Sequence, residues 1–167
     1  EKIKPELWPT KIPFVVGINK SSNSAFYYKF NLLGFSELNN IKTNFTPIDI
    51  GTSQNGDILI LYKNSLELIK YDFETNQIKT MTSTSLENAK KLSTNHKNLV
   101  GIIDNNYFNL YIFKNNNLKK IKSLLKKINS KIENEKIIDI NIAPDNSIII
   151  LTDKNILFFT KNGSLSK

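Results

Sequence analysis

The sequence contains no cysteine and no arginine, and its single histidine is His96. Missing cysteine removes disulfides, thiolate metal sites and cysteine nucleophiles together. One histidine excludes a multi-histidine metal site within the chain. Without arginine, bidentate reading of guanine and planar clamping of phosphate lose their usual side chain. No apolar run approaches the roughly 20 residues that span a bilayer. The six glycines are scattered rather than gathered into a phosphate-cradling loop, and there is no Asp-x-Asp-x-Asp-Gly loop for calcium. Serines are plentiful, but one histidine and no nucleophile motif argue against a hydrolytic triad. These absences leave no catalytic residue, cofactor-binding residue or metal ligand to name. The expectation is a chain that is not an enzyme and carries no cofactor.

What is present is a globular composition. The chain has 167 residues, 40% hydrophobic and 23% charged, enough for one domain with an apolar core. Isoleucine (24), asparagine (24) and lysine (23) dominate. All three are residues of A/T-rich codons, so the bias reflects genome composition more than task. The formal charge of +8 has the sign of a nucleic-acid footprint. A lysine surplus without arginine fits a solubilising surface better. The chain opens at Glu1 without a methionine or a signal-type apolar stretch and reads as processed or trimmed. The absence of cysteine leans towards an extracytoplasmic or cell-envelope location.

Short β-rich runs recur, separated by Asn, Gly, Asp and Ser. Ile48-Asp49-Ile50 returns ninety positions later as Ile138-Asp139-Ile140. A turn follows in each copy, Gln54-Asn55-Gly56-Asp57 and Pro144-Asp145-Asn146-Ser147. An apolar strand then follows, Ile58–Leu61 and Ile148–Leu151. The alignment needs no gap and gives six identities over 48–69, against about two by chance. Looser copies begin at Phe14 and Leu99, so the repeat is a unit of about 40 to 45 residues, the size of a propeller blade. The matched carboxylates Asp49 and Asp139 are expected to bond backbone rather than to act as acid and base.

The segment Leu68 to Ile78 resembles the third strand, tight turn and fourth strand of propeller blades of the WD40 kind. Ala143-Pro144-Asp145-Asn146-Ser147 resembles their turn between first and second strands. The Trp-Asp and Gly-His signatures are missing: the sole tryptophan, Trp8, lies outside every repeat. No WD40 binding residue carries over. The resemblance implies an all-β, β-propeller-like fold of about four blades, closed as four or part of a larger ring, with a two-sheet β-sandwich as the alternative. The whole chain, 1–167, is then one domain or partial propeller with units at about 12–40, 46–82, 89–123 and 136–165. Its first unit lacks an innermost strand, unless Glu1 to Trp8 closes the ring, and its last lacks an outer one. Second strands such as Asp57–Tyr62 and Ser147–Leu151 should be covered on both faces, being continuously apolar.

Function follows from architecture only in outline. The leading reading is a non-enzymatic protein-binding or scaffolding module with a rigid surface. The alternative is a basic module that meets nucleic acid or an anionic membrane through lysines. The stretch Leu118 to Ile132 carries the candidate contact residues Lys119, Lys120, Lys122, Lys126 and Lys127. Its apolar residues Leu118, Ile121, Leu125, Ile128 and Ile132 recur at three- and four-residue spacing, as on one helical face. The expected form is an outer strand from Leu118 to Ser123, with Lys126 and Lys127 on a following loop or helical turn. Ser85 to Leu92 shows a weaker helical spacing, enough for one or two turns.

Overall fold

The computed structural model describes residues 14–166, apart from 32–33, 54–55, 73–74, 76, 96 and 116. Glu1 to Trp8, Gln54-Asn55, Phe73-Glu74, Asn76 and His96 therefore lie outside the described residues. The chain builds four antiparallel sheets in succession. The first holds β1 (Phe14–Asn19), β2 (Ser24–Asn31) and β3 (Gly34–Lys42). The second holds β4 (Asp49–Thr52), β5 (Ile58–Leu61), β6 (Ser65–Asp72) and β7 (Gln77–Ser85). The third holds β8 (Ala89–Thr94), β9 (Leu99–Asp104), β10 (Tyr107–Lys114) and β11 (Asn117–Lys120). A helix, α1 (Lys122–Asn129), precedes the fourth, formed by β12 (Ile137–Ile142), β13 (Ile148–Thr152) and β14 (Ile156–Phe159). Four sheets rather than two set the sandwich aside.

The repeat is visible as register. Asp49 faces Leu61 and Ile50 faces Ile60 in the second sheet; Asp139 faces Leu151 and Ile140 faces Ile150 in the fourth. Ile58 faces Ile69 as Ile148 faces Phe159. The third sheet joins the series through Leu92 opposite Ile102. One turn closes the first hairpin in all three: Ser53 N–H donates to the Asp57 carbonyl, Asn95 to Leu99 and Ala143 to Ser147, at 2.9–3.2 Å. Gly56 and Asn146 take the left-handed conformation in two of these turns. All six described non-glycine residues with positive φ are asparagines: Asn23, Asn105, Asn106, Asn115, Asn134 and Asn146. Asn105 and Asn106, at φ 50° and 61°, link β9 to β10 with the paired left-handed residues that a tight hairpin needs.

Apolar residues fill the gaps between successive sheets. Val16, Ile18, Ala25 and Ile41 meet Ile58, Ile60, Tyr62 and Ile69 between the first and second. Leu59, Leu61, Leu66 and Leu68 meet Leu92, Val100, Ile102 and Tyr111 between the second and third. Ile103, Phe108 and Leu110 meet Ile140, Ile148, Ile150 and Phe159 between the third and fourth, with Leu125, Ile128 and Ile132 added from and after α1. β1, though first in its sheet, packs on β4 as β9 packs on β12.

Three expectations are corrected here. Ser85 to Leu92 is not helical, because Ala89–Thr94 forms β8. Ala89 and Leu92 both face the core because a register irregularity between Ala89 and Lys91 re-aims the strand. The same irregularity lies between Ile137 and Asp139. The three-residue spacing thus records a bulge, not a helix. The outer strand does not run to Ser123: it ends at Lys120, and Lys122 begins α1. Lastly, β13 is not covered on both faces. Ile148, Ile150 and Thr152 are buried, whereas Leu151 is 37% exposed.

Tyr62 follows directly on β5 in the first intersheet cluster, edge-on to Phe45 with ring centroids 6.0 Å apart. Burial chiefly, then the charge of Glu67 and a hydrogen bond to it, holds its phenol pKa well above the ordinary 10.0. The folded state therefore keeps this proton where the unfolded chain releases it. Stability from this group is full below pH 10.0 and declines as pH rises above it. Urea midpoints followed from neutral pH into the alkaline range should fall above that point, and less steeply in Tyr62→Phe. An equal alkaline decline in both proteins would show that Tyr62 is not the cause.

Candidate functional site

The outer edge of the third sheet is built in two pieces. β11 pairs with only Tyr111–Lys114 of β10, leaving the earlier half of that strand without a neighbour strand on this side. Ile121 N–H then donates to the Leu110 carbonyl at 2.8 Å, and the chain turns into α1. From α1, Asn129 completes the edge with its side-chain amide. Its Oδ1 accepts from Phe108 N–H at 3.1 Å, and its Nδ2 donates to the Phe108 carbonyl at 2.9 Å and to the Leu125 carbonyl at 3.0 Å. One amide thus stands in for a strand residue. Leu125, Ile128 and Ile132 are buried and Ile121 and Leu124 half-buried, so the apolar face of this basic helix is covered by its own domain. At the fourth sheet, Gly163 (φ 73°) turns the chain so closely past α1 that an added Cβ would lie 3.3 Å from Leu124.

Beside α1 runs a groove of 470 Å³ that includes Glu87, Asp104, Tyr107, Lys120, Lys126 and Asn129 in its lining. A second, of 770 Å³, continues past Tyr107, Lys126 and Asn129 to Glu133, Glu135 and Asp153. Tyr107 is common to both and is 64% exposed. The groove wall is tied together by hydrogen bonds. Asp104 accepts from the backbone N–H of Asn88 at 2.8 Å and of Glu87 at 3.1 Å, and Asn105 donates to Glu87 at 3.0 Å. Burial first, and the Asp104 charge second, raise the pKa of the neighbouring Tyr111 phenol.

Of the lysines singled out from the sequence, the structure brings Lys120 and Lys126 together along the first groove. Lys119, Lys122 and Lys127 are exposed on β11 and α1 but line neither groove. The strip is also not purely basic, since Glu87, Asp104 and Glu133 share the grooves. Tyr107 and Asn129 were missed from the sequence. The signal for Asn129 was available as a polar residue inside a helical apolar pattern, next to Ile128. Nothing local marks Tyr107, whose exposure depends on where α1 lies.

The matched carboxylates act as structural joints. Asp49 accepts from its own neighbour Ile50 N–H and, across the sheet gap, from Leu92 N–H, both at 2.9 Å. Asp139 accepts from Ile140 N–H at 2.9 Å and lies 3.7 Å from the Lys91 ammonium. Among the described residues no three His, Asp or Glu side chains gather as a metal site, and no helix is long and apolar enough to cross a membrane.

No family model matches the sequence, and no curated protein matches it. Solved structures do match. A virginiamycin B lyase from Staphylococcus aureus, catalytically inactive and with quinupristin, shares 14% identity over 92% of this chain and 50% of its own, at a TM-score of 0.58. The dihydro-heme d1 dehydrogenase NirN shares 11% over 95% of this chain and 35% of its own, at 0.60. A protein of unknown function from Desulfotomaculum acetoxidans shares 16% over 90% and 53%, at 0.62. The fold is β-propeller-like. This chain spans about half or less of the length of these structures.

The comparison corrects one expectation drawn from absences. A chain without a triad, thiol or histidine cluster was expected not to be an enzyme. Its fold, however, is shared with a lyase and a dehydrogenase, so lacking those motifs no longer excludes activity on this scaffold.

Proposed function

We propose that this chain is an arc of β-propeller blades with WD40-like repeats, and that it serves as a protein-binding or scaffolding module. The observation that supports the reading most is Tyr107. It stands exposed where two grooves meet, flanked by cations from β11 and α1 and by carboxylates from the turns. Tyrosine is favoured at protein interfaces because it offers a large rigid surface with one polar end. The mixture of both charge signs suits a polypeptide partner better than a phosphate backbone, which carboxylates in the same groove would repel.

The test is an affinity capture at physiological salt with three proteins: wild type, Tyr107→Ala and Lys126→Glu. A partner retained by wild type and lost from both variants, with unchanged thermal melting, is the expected result. A partner held equally by all three would sink the groove as its site. Charge reversal at Lys119, Lys120, Lys126 and Lys127 discriminates the basic alternative. It should leave folding intact and weaken binding to an anionic duplex only at low salt. Strong lysine-dependent duplex binding at physiological salt would favour the nucleic-acid reading instead.

A further inference from the structure

Among the described residues, the buried polar side chains are hydrogen-bonded with one exception. Ser24 pairs with Ser22, Ser53 with Asp57, Asn95 with Asn146 and Thr152 with Glu135. Asn109, on β10 and only 8% exposed, is the exception: no hydrogen bond within the described residues reaches its side-chain amide. Such an amide leaves two donors and a carbonyl acceptor unmatched and costs stability, so its presence calls for a reason. Its position supplies one. Phe108 and Leu110 face the fourth sheet, so alternation along β10 turns Asn109 to the opposite side. Tyr107 lies on that same side, two residues and roughly 7 Å away. Both residues line the first groove, where Asn109 and Leu125 are buried and the other lining residues are half-buried or exposed. The unmatched amide is thus the polar floor of the groove, and Tyr107 stands above it.

We propose that the groove takes its partner as an extended peptide segment, with the Asn109 amide clasping the main-chain N–H and carbonyl of one partner residue. The inference rests on the protein-binding reading above and specifies the form in which the partner arrives. The molecule already contains this chemistry once. Asn129 holds Phe108 in the same way, its Oδ1 accepting from the N–H and its Nδ2 donating to the carbonyl. A residue in extended conformation presents those two groups on one side, where a planar amide matches both. A residue inside a helix has both engaged along the helix axis and offers neither. A phosphate supplies acceptors only, would leave Asn109 Oδ1 unmatched, and would be repelled by Glu87 and Asp104 in the same lining. Main-chain pairing gives affinity without reading the partner's side chain, so selectivity falls to the neighbours. Tyr107 covers the next stretch of peptide, and Lys120 and Lys126 offer donors to its carbonyls or carboxylates. The second groove shares Tyr107, Lys126 and Asn129 with the first, so the path continues beyond a single residue.

The probe is a random-sequence library of linear peptides, selected on the full wild-type chain. The strongest binder is then resynthesised with a single N-methyl group at each peptide nitrogen in turn, which removes one donor at a time. One position should weaken binding to wild type roughly tenfold, a readout that needs no protein variant. Asn109→Ala should weaken the unmethylated peptide by a similar factor while keeping a cooperative melt. In that variant, methylation at the sensitive position should have little further effect. Failure to select any linear peptide would overturn the proposal, as would a flat methylation scan or equal binding by Asn109→Ala. The two readings of the groove separate cleanly. A folded partner captured through Tyr107, with no linear peptide selected, would keep the protein-binding reading and overturn this one. A peptide lost from Asn109→Ala but held by Tyr107→Ala would support this inference and remove Tyr107 from the site.

Discussion

Ile150→Ala is expected to lower stability by about 2–5 kcal/mol. Ile150 is 0% exposed and sits on β13 opposite Ile140. It belongs to the cluster that joins the third sheet, α1 and the fourth sheet, with Ile103, Phe108, Leu110 and Phe159 as members. Removing its outer atoms forfeits their burial and leaves a cavity. Paired strands on both sides hold the walls of that cavity apart, so collapse is limited and the upper half of the range applies. Ile60→Ala, at the matched place in β5 and also 0% exposed, should cost a similar amount. The exposed Ile78→Ala should stay within about 0.5 kcal/mol. Urea denaturation of the three proteins checks this. An Ile150→Ala midpoint indistinguishable from wild type would show that the fourth sheet lies outside the cooperative unit.

Asn129→Leu should destabilise by a comparable amount for a different reason. The substitution keeps the branched shape and heavy-atom count but strands the N–H and carbonyl of Phe108, a residue that is itself 0% exposed. Each orphaned buried group costs about 1–3 kcal/mol. The carbonyl of Leu125 loses only an additional acceptor contact, since it lies inside the helix. Loss of this joint should also free α1 locally. Amide exchange at Phe108 and through α1 should therefore accelerate more than exchange in the second sheet. Uniform acceleration across all four sheets would mean that Asn129 supports global stability alone, without anchoring the helix to β10.

Local pattern carried the repeat. The ninety-residue offset, the apolar strands Ile58–Leu61 and Ile148–Leu151, and the turns rich in asparagine were all legible. Each depends on neighbours a few residues away: alternation sets faces, and Asn tolerates the left-handed backbone that a tight turn demands. Where the pattern misled, the determinant was distant. Ala89 and Leu92 have a helical spacing, yet a bulge against β9 turns both towards the second sheet. Ile121 to Ile132 has the same spacing and is a helix from Lys122, because Leu110 and Phe108 offer the chain an edge that β11 does not fill. Leu59 and Leu61 are buried while Ile149 and Leu151 are not, although the two pairs are chemically alike and lie in the same register. No local property separates them. Burial is a relation between a face and the sheet beside it, and that sheet comes from residues far along the chain. The candidate site follows the same division. Lysines could be read from the sequence, but which of them share a groove with Tyr107, Glu87 and Asp104 was settled by where α1 packs.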